Sequence, residues 1–513
     1  MKMRKFLAWL LIFAMAFSTL LFTSCKDDNP DDDDDDVPEE DLSPTFDGDV
    51  KKYKGSFNIL TRTDGTANQY GNVHDMVAEN NLGDAAIVKV VRERNQRIED
   101  NFGIKIKRTK ADKESDTALN AVQSDSTTYD AFRITVQAAI NLACQGGVMD
   151  LYQAPYMDVT ADWWDKGITE NLLLAGGAYI AIGDILTGDK DSTYLTLFNE
   201  KLLEEYGLGY SAESLYALTT QGIGKSGGLT MAKLVQLAAE HATADTNNRL
   251  MFEEGYDGIG NYGLYTQSDI AKVILLSAGF TPTKVDSKDI SGLKANLTVE
   301  FEAAVNEVWR YFGNVSEESW FVNLDKYQGG YNDFWNLNAR GSFKANRATF
   351  FMCHCGTIDL IRDMQADFGV LPIPKLYDTQ EDYASTLQYM NCPAICVPNR
   401  GDTLNEKSSY ILEAMCYYSS QEYAADQSLN YNYYYRVLRA KGVRDQNAWK
   451  MLDLIFDNRV YDLVFAVNIG GVDGGVLNAM VSKNATSFNR TAYSNLDTHI
   501  AEKLKTLVSE SNG

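Results

Sequence analysis

The chain has 513 residues, 45% of them hydrophobic, with 71 acidic against 47 basic side chains and a formal charge of −24. So large an acidic surplus, with no basic stripe, releases no counterions from a phosphate backbone, and nucleic-acid partners are disfavoured. The charge divides into +3 over the first 25 residues, −10 over residues 26 to 42 and −17 over the remainder. That remaining body of roughly 470 residues is too long for one core and long enough for two lobes.

Lys2, Arg4 and Lys5 precede an apolar run from Phe6 to Phe22 and the short stretch Thr23-Ser24-Cys25. Residues 1–24 read as a signal peptide, because the apolar run is short for a membrane span and ends in small residues before a cysteine. Leu21-Phe22-Thr23-Ser24-Cys25 resembles a bacterial lipobox, with Phe22 where leucine is commoner, which makes Cys25 the expected lipidation site. Residues 25–52 then form an acidic tether: six aspartates, Asp31 to Asp36, lie among further acids with almost no apolar surface to bury. Lys26-Asp27-Asp28 resembles the surface-export signal of Bacteroidetes lipoproteins, so the expected place is the cell envelope, at the outer-membrane surface or the periplasmic face. Six cysteines remain in the body, too few for a disulfide scaffold, and no pairing follows from their spacing.

Ordered structure is expected from Tyr53. Phe57 to Leu60 reads as a strand opening into Thr61-Arg62-Thr63-Asp64, and Ala86 to Phe102 as an amphipathic helix. Ile104 to Ile106 alternates as a strand, Ala118 to Gln123 is helical, and Ala131 to Val136 is a third strand; this order argues for a mostly parallel sheet under helices. Residues 175 to 184 read as a glycine-flanked strand pair, a helix starts near Phe198, and residues 210 to 228 read as loop. Helical periodicity returns over Thr230 to His241 and Thr298 to Tyr311. Residues 369 to 374 read as a strand stopped by Pro372 and Pro374, a place to cross between lobes. Ser408 to Ser420 and most of the chain from Gln446 are expected to be helical.

Several fragments in this order are similar to extracellular solute-binding lipoproteins of the maltose-binding-protein type. They include Glu93-Arg94-Asn95, Asn101-Phe102-Gly103-Ile104-Lys105, Trp163-Trp164-Asp165, Gly177-Ala178-Tyr179, Phe198-Asn199-Glu200-Lys201 and Asp367-Phe368-Gly369-Val370-Leu371-Pro372. The resemblance implies an α/β, two-lobed periplasmic-binding-protein-like (type II) fold with an interlobe cleft and a helix-rich second lobe. Residues 53–182 and 375–422 would make lobe 1, and 183–374 with 423–513 lobe 2. It further implies a small-molecule solute, an oligosaccharide by preference, captured by lobe closure for a membrane transporter. A monomer is expected, with no cofactor and membrane contact through the lipid alone. Gly228-Leu229-Thr230-Met231 departs from the family, which usually carries Trp-Thr there.

The same resemblance places candidate ligand contacts at Thr61, Arg62 and Asp64, at Gln137 after the third strand, at Asp184 beyond the first crossing, and at Gly356 and Thr357, with His354 beside them. Aromatic rings stack on sugar faces, which adds Trp163 and Trp164; neighbours on one element cannot share a face, so at most one is expected to stack. A zinc reading of Cys353, His354 and Cys355, completed by Cys392 and Cys396, is disfavoured because the two cysteines and the histidine alternate sides on a strand; no metal is expected. Gly224-Lys225-Ser226-Gly227-Gly228 fits a nucleophile-elbow pattern without the preceding strand, and the chain is read as no enzyme. Two competitors remain: an all-helical glycan-capture lipoprotein of the outer membrane, and a surface glycoside hydrolase.

Overall fold

The computed structural model describes residues 52–468 except 65–73, 80–83, 175, 206–208, 241, 243–260, 285–293, 297, 313–319, 330, 332, 421–423, 425 and 444. The signal peptide, Cys25 and nearly all of the tether lie outside the described residues, as do His241, Arg444 and residues 469–513. Among the described residues no helix is long and apolar enough to cross a membrane.

The first sheet is built by β1 (Ser56–Arg62), β2 (Lys105–Ala111) and β3 (Ala131–Thr135). β1 runs parallel to both others, pairing Ser56 with Lys105 through Arg62 with Ala111, and Ile59 with Ala131. The helix Ala85–Phe102 joins β1 to β2. Asp84 caps its first turn, Ile87, Val90, Val91, Ile98 and Phe102 repeat at helical spacing toward the core, and Gly103 ends it at φ 71°. Arg94, on the same buried face, donates to the Asp75 and Met76 carbonyls and the Ser419 hydroxyl.

The second sheet takes β4 (Tyr194–Asn199), β5 (Tyr262–Thr266), β8 (Phe321–Asn323), β9 (Ala348–His354) and β10 (Phe368–Leu371), while β6 (Thr283–Lys284) and β7 (Lys294–Ala295) form a separate ribbon. Its order is β10-β4-β9-β5-β8, with β5 parallel to β8 and β9, and β4 antiparallel to its neighbours. β11 (Pro393–Cys396) then returns to the first sheet, antiparallel to β3, for the order β11-β3-β1-β2. Two mixed sheets exclude the all-helical alternative.

Two readings of the sequence are corrected. Residues 175 to 184 make no strand pair: Leu174 bridges Gly177, Ala181 bridges Ile395 and Gly183 bridges Trp164, one pairing each. Within 210 to 228 the helix Ala212–Gln221 forms, started by a reciprocal cap between Ser211 and Ser214 and held by buried Leu215, Tyr216 and Thr219. Beyond Pro374 the chain is tied to 222 to 229: Lys375 N donates to Leu229 O and the Tyr383 hydroxyl accepts from Leu229 N. Toward the C-terminus the helix Gln446–Asp457 packs on β10 of the second sheet, and the helix Leu463–Val467 on the helix Val136–Ala143 that follows β3.

The other helical expectations fall on helices, Glu114–Gln123, Met231–Glu240, Val299–Phe312, Asp402–Tyr417 and Gln446–Asp457, some of which begin several residues earlier than expected, whereas Phe198 and Asn199 belong to β4 and the helix expected there begins at Glu200. Cys144, Cys353, Cys355, Cys392, Cys396 and Cys416 are all unbridged.

Candidate functional site

Where the chain passes between the sheets, both present the same kind of edge. Entering β4, Tyr194 N donates to Thr386 O, and Gln388 N returns to Ser192 O; approaching β11, Cys392 O accepts from Val136 N and Tyr389 O from Gln137 N. The segments 183–193 and 385–392 therefore lie side by side. The carboxyl ends of β1, β2 and β3 face them from one side, and those of β5, β8 and β9 from the other. Loops leaving the carboxyl ends of parallel strands are where α/β folds gather polar groups around a ligand.

On the first side, Thr61 is fully buried and Arg62 half-buried, its Nε 3.9 Å from Glu114. Asp64 accepts from Arg108 at 2.6 and 2.8 Å and from Lys110 at 2.7 Å; Glu79 meets the same lysine at 2.6 Å. Burial pushes the Asp64 carboxyl up, but the hydrogen bonds from Lys110 and Arg108 outweigh it and hold the group below its ordinary value. Two acids and two bases thus neutralise one another at this rim. Gln137 is half-buried in the first turn of the helix Val136–Ala143, whose cap is the Thr135 hydroxyl.

The tryptophan pair departs from the geometric expectation. Residues 161–164 form a turn ending in the bridge to Gly183, not a regular element, so both indoles converge: Trp163 and Trp164 each donate to one oxygen of Glu413 at 2.8 Å. Burial pushes the Glu413 carboxyl up to about 8. Gly183 is required beside them, because a Cβ there would stand 2.4 Å from Trp163 O. Asp184 follows on the crossing, half-buried, and accepts from Asn430 at 2.5 Å.

On the second side, β9 ends at His354, whose ring lies 4.6 Å from that of Tyr194. Burial pulls the histidine down to about 3, so it is neutral at any physiological pH. The Tyr194 hydroxyl donates to Asp269, in the loop after β5, and Gln388 Nε2 reaches the same carboxylate oxygen at 3.4 Å. Gly356 N donates to Asp191 O at 2.9 Å, and Thr357 is fully buried behind it. Burial and then Asp269 push the Asp325 carboxyl up, against the hydrogen bonds from Ser268. Met390, on the second crossing segment, is 58% exposed.

Arg62, Asp64 and Gln137 thus stand at the carboxyl ends of β1 and β3, Asp184 on the first crossing and Gly356 just beyond β9. Thr61, Trp164 and Thr357 are buried. Tyr194, Asp269, Gln388 and Met390 went unseen in the sequence, since nothing local distinguishes them. Among the described residues no group of three or more His, Cys, Asp or Glu side chains could hold a metal ion.

No family model matches the chain, and no curated protein matches it in sequence. Solved structures do. The ABC substrate-binding protein from Listeria monocytogenes in complex with cycloalternan aligns with a TM-score of 0.54 at 11% identity, over 88% of this chain and 100% of its own. The GacH receptor of Streptomyces glaucescens, determined unliganded and with acarbose, aligns at 0.51 and 13%, over 89% and 99%. A sugar transporter from Rhizobium etli in an open conformation aligns at 0.52 and 11%, over 88% and 99%. At such identities the likeness is one of fold, and with two mixed sheets joined by paired crossings it fixes the architecture: the chain has the two-lobed, type II periplasmic-binding-protein fold of the maltose-binding-protein kind.

Proposed function

We propose that this chain is a lipid-anchored extracellular solute-binding protein that closes its lobes over a polar small molecule, an oligosaccharide, and presents it to a membrane transporter without chemistry on it. The observation that carries the reading is the pair of crossings that joins the two sheets side by side, with the carboxyl-end loops of both sheets on either side of it to furnish hydrogen-bonding groups. The charges at the first rim are already paired, Asp64 and Glu79 against Arg108 and Lys110, so that rim suits a neutral, hydroxyl-rich solute better than an ion. Met390 offers apolar contact to a sugar ring at the floor of the proposed cleft. Proteins of this fold include one solved with cycloalternan and one solved with acarbose, which supports a saccharide as the solute. In this reading Arg62, Asp64, Gln137, Asp184 and Gly356 line the solute, Thr61, Trp163, Trp164 and Thr357 brace those that do, and Cys25 carries the lipid.

Closure stabilised by a ligand that contacts both lobes predicts two separable signals. Calorimetry against a panel of neutral oligosaccharides should give saturable heat for at least one, and small-angle scattering with that sugar should show a smaller radius of gyration. No heat from any sugar removes the saccharide; heat without compaction removes the closure. Labelling of the expressed protein by a lipid precursor, abolished by Cys25→Ser, tests the anchor.

A further inference from the structure

At the other end of lobe 1 a second surface is built with unusual care. Tyr156 has φ 64°, a left-handed conformation that a residue bearing a bulky ring seldom adopts and that persists only where its surroundings impose it. Burial does not explain it, because the residue is 56% exposed. Its ring meets that of Tyr410 with centroids 5.0 Å apart, and Tyr410 in turn meets Tyr53 at 6.2 Å and rests on the edge of Phe102 at 5.2 Å. Tyr152, one short turn earlier, is 40% exposed. The loop that carries both is fastened: the Ser409 hydroxyl donates to Pro155 O, and Tyr152 N donates to Asp150 at 3.1 Å.

This surface is remote from the proposed cleft. Tyr53 precedes β1, whose other end supplies Arg62, so a strand length of about 20 Å separates the two places. Acids outnumber bases beside the tyrosines: Asp150 and Glu170 lie near Tyr152, the Tyr53 hydroxyl donates to Glu406, and Asp158 is exposed beside the loop, with Lys166 as the base facing Asp158 and Glu170. An anionic polymer or lipid surface is repelled there. What fits rings that keep their phenol hydroxyls, among carboxylate acceptors, is a neutral partner with apolar C–H faces and many hydroxyl donors. We infer that the Tyr53, Tyr156 and Tyr410 cluster, with the exposed Tyr152 four residues before Tyr156 on the same loop, is a second carbohydrate-binding surface, which holds a neutral polysaccharide outside the cleft.

The backbone supplies a clean test. Glycine adopts φ 64° without strain, so Tyr156→Gly removes the ring while keeping or raising the melting temperature. The full-length protein, wild type and Y152S/Y156G, is run in affinity gels containing amylopectin, laminarin or galactomannan, with calorimetry on short oligosaccharides in parallel. The wild type should be retarded by at least one polymer. The double variant should lose that retardation at least fivefold, with the heat from short oligosaccharides unchanged. Retardation that survives the double substitution overturns the inference, as does a wild type that none of the three polymers retards. If no short sugar gives heat and yet a polymer is held through the tyrosines, the cleft reading falls and this one stands.

Discussion

Lys375 is buried completely, and its ammonium points into a cage of main-chain oxygens: Gly222 at 2.6 Å, Lys225 at 2.9 Å, Glu381 at 3.0 Å and Gly227 at 3.1 Å, with the Tyr383 ring 4.6 Å away. Lys375→Met keeps most of the stem and removes the charge. Three ammonium protons serve the four carbonyls, so about three hydrogen bonds are lost, each leaving a buried acceptor without a partner at a cost of about 1–3 kcal/mol. The cage lies near the surface and water will repair part of the loss, so the expected destabilisation is about 3–5 kcal/mol. Against the 5–15 kcal/mol of a typical domain that is a large fraction, and it should appear as a lower urea midpoint with unchanged slope. Free ammonium ion, which has the charge and donor geometry of the missing group, should restore part of the midpoint when sodium does not. A variant within about 1 kcal/mol of wild type would refute the reasoning, because four short contacts to one buried cation could not then be holding the two loops together.

Other consequences follow from buried groups elsewhere. Gly263→Ala places a Cβ 1.8 Å from Ala238 O and must push the helix Met231–Glu240 off β5; a loss of about 3 kcal/mol in urea unfolding is expected. Arg459→Met strands Asp165 and Asp189, which now share its guanidinium at 2.8 and 2.7 Å, and should cost about 3–5 kcal/mol, partly recovered by adding Asp189→Asn. His354, held at about 3 when folded and 6.5 when unfolded, binds fewer protons in the native state between those values, so stability falls as pH drops through that window. Glu413, raised to about 8 from 4.5, binds more protons in the native state, so stability falls as pH rises through its window. Melting temperatures measured from acid to alkaline pH should show the acid limb flattened in His354→Gln and the upper limb flattened in Glu413→Gln; unchanged limbs would show that these groups do not set the curve.

The first lobe was legible because its elements are local. Apolar residues repeat in the helix Ala85–Phe102 at the spacing that buries Ile87, Val91 and Ile98, and β1 opens into polar loop residues at its carboxyl end. That order places Arg62, Asp64 and Gln137 at the carboxyl ends of β1 and β3, and the family resemblance implied that such ends face a cleft. The helix Ala212–Gln221 escaped notice because its buried stripe is only Leu215, Tyr216 and Thr219, and its cap uses Ser214 where a glutamate or glutamine is the usual signature. Of the second wall only the end of β9, with His354, Gly356 and Thr357, was readable. Asp269 becomes a site residue through Tyr194, 75 positions away, and Gln388, 119 positions away, and no local pattern records either contact. The tryptophans misled for a similar reason: the alternation argument holds on a strand or helix, and the turn at 161–164 is neither.

The passes between the lobes are not independent strings. Val460 N donates to Ser385 O and Ser385 N to Asn458 O, so the segment leaving the helix Gln446–Asp457 is stitched to the crossing that leads to β11. Arg459, within that stitch, reaches Asp189 on the first crossing and Asp165 beside the tryptophan turn. One guanidinium thus ties three passes and the base of lobe 1. Charges paired this deeply resist separation, since parting them leaves buried ions unpaired. On the proposed reading, a rotation of the lobes pivots about that knot. Groups close to it, Asp184 and Gly356 among them, then move little, and groups at the rim, Arg62 and Asp64, move most. On the proposed reading the floor recognises the solute in either state, while the rim gains contacts only on closing, and that difference is what allows a bound sugar to favour the closed form.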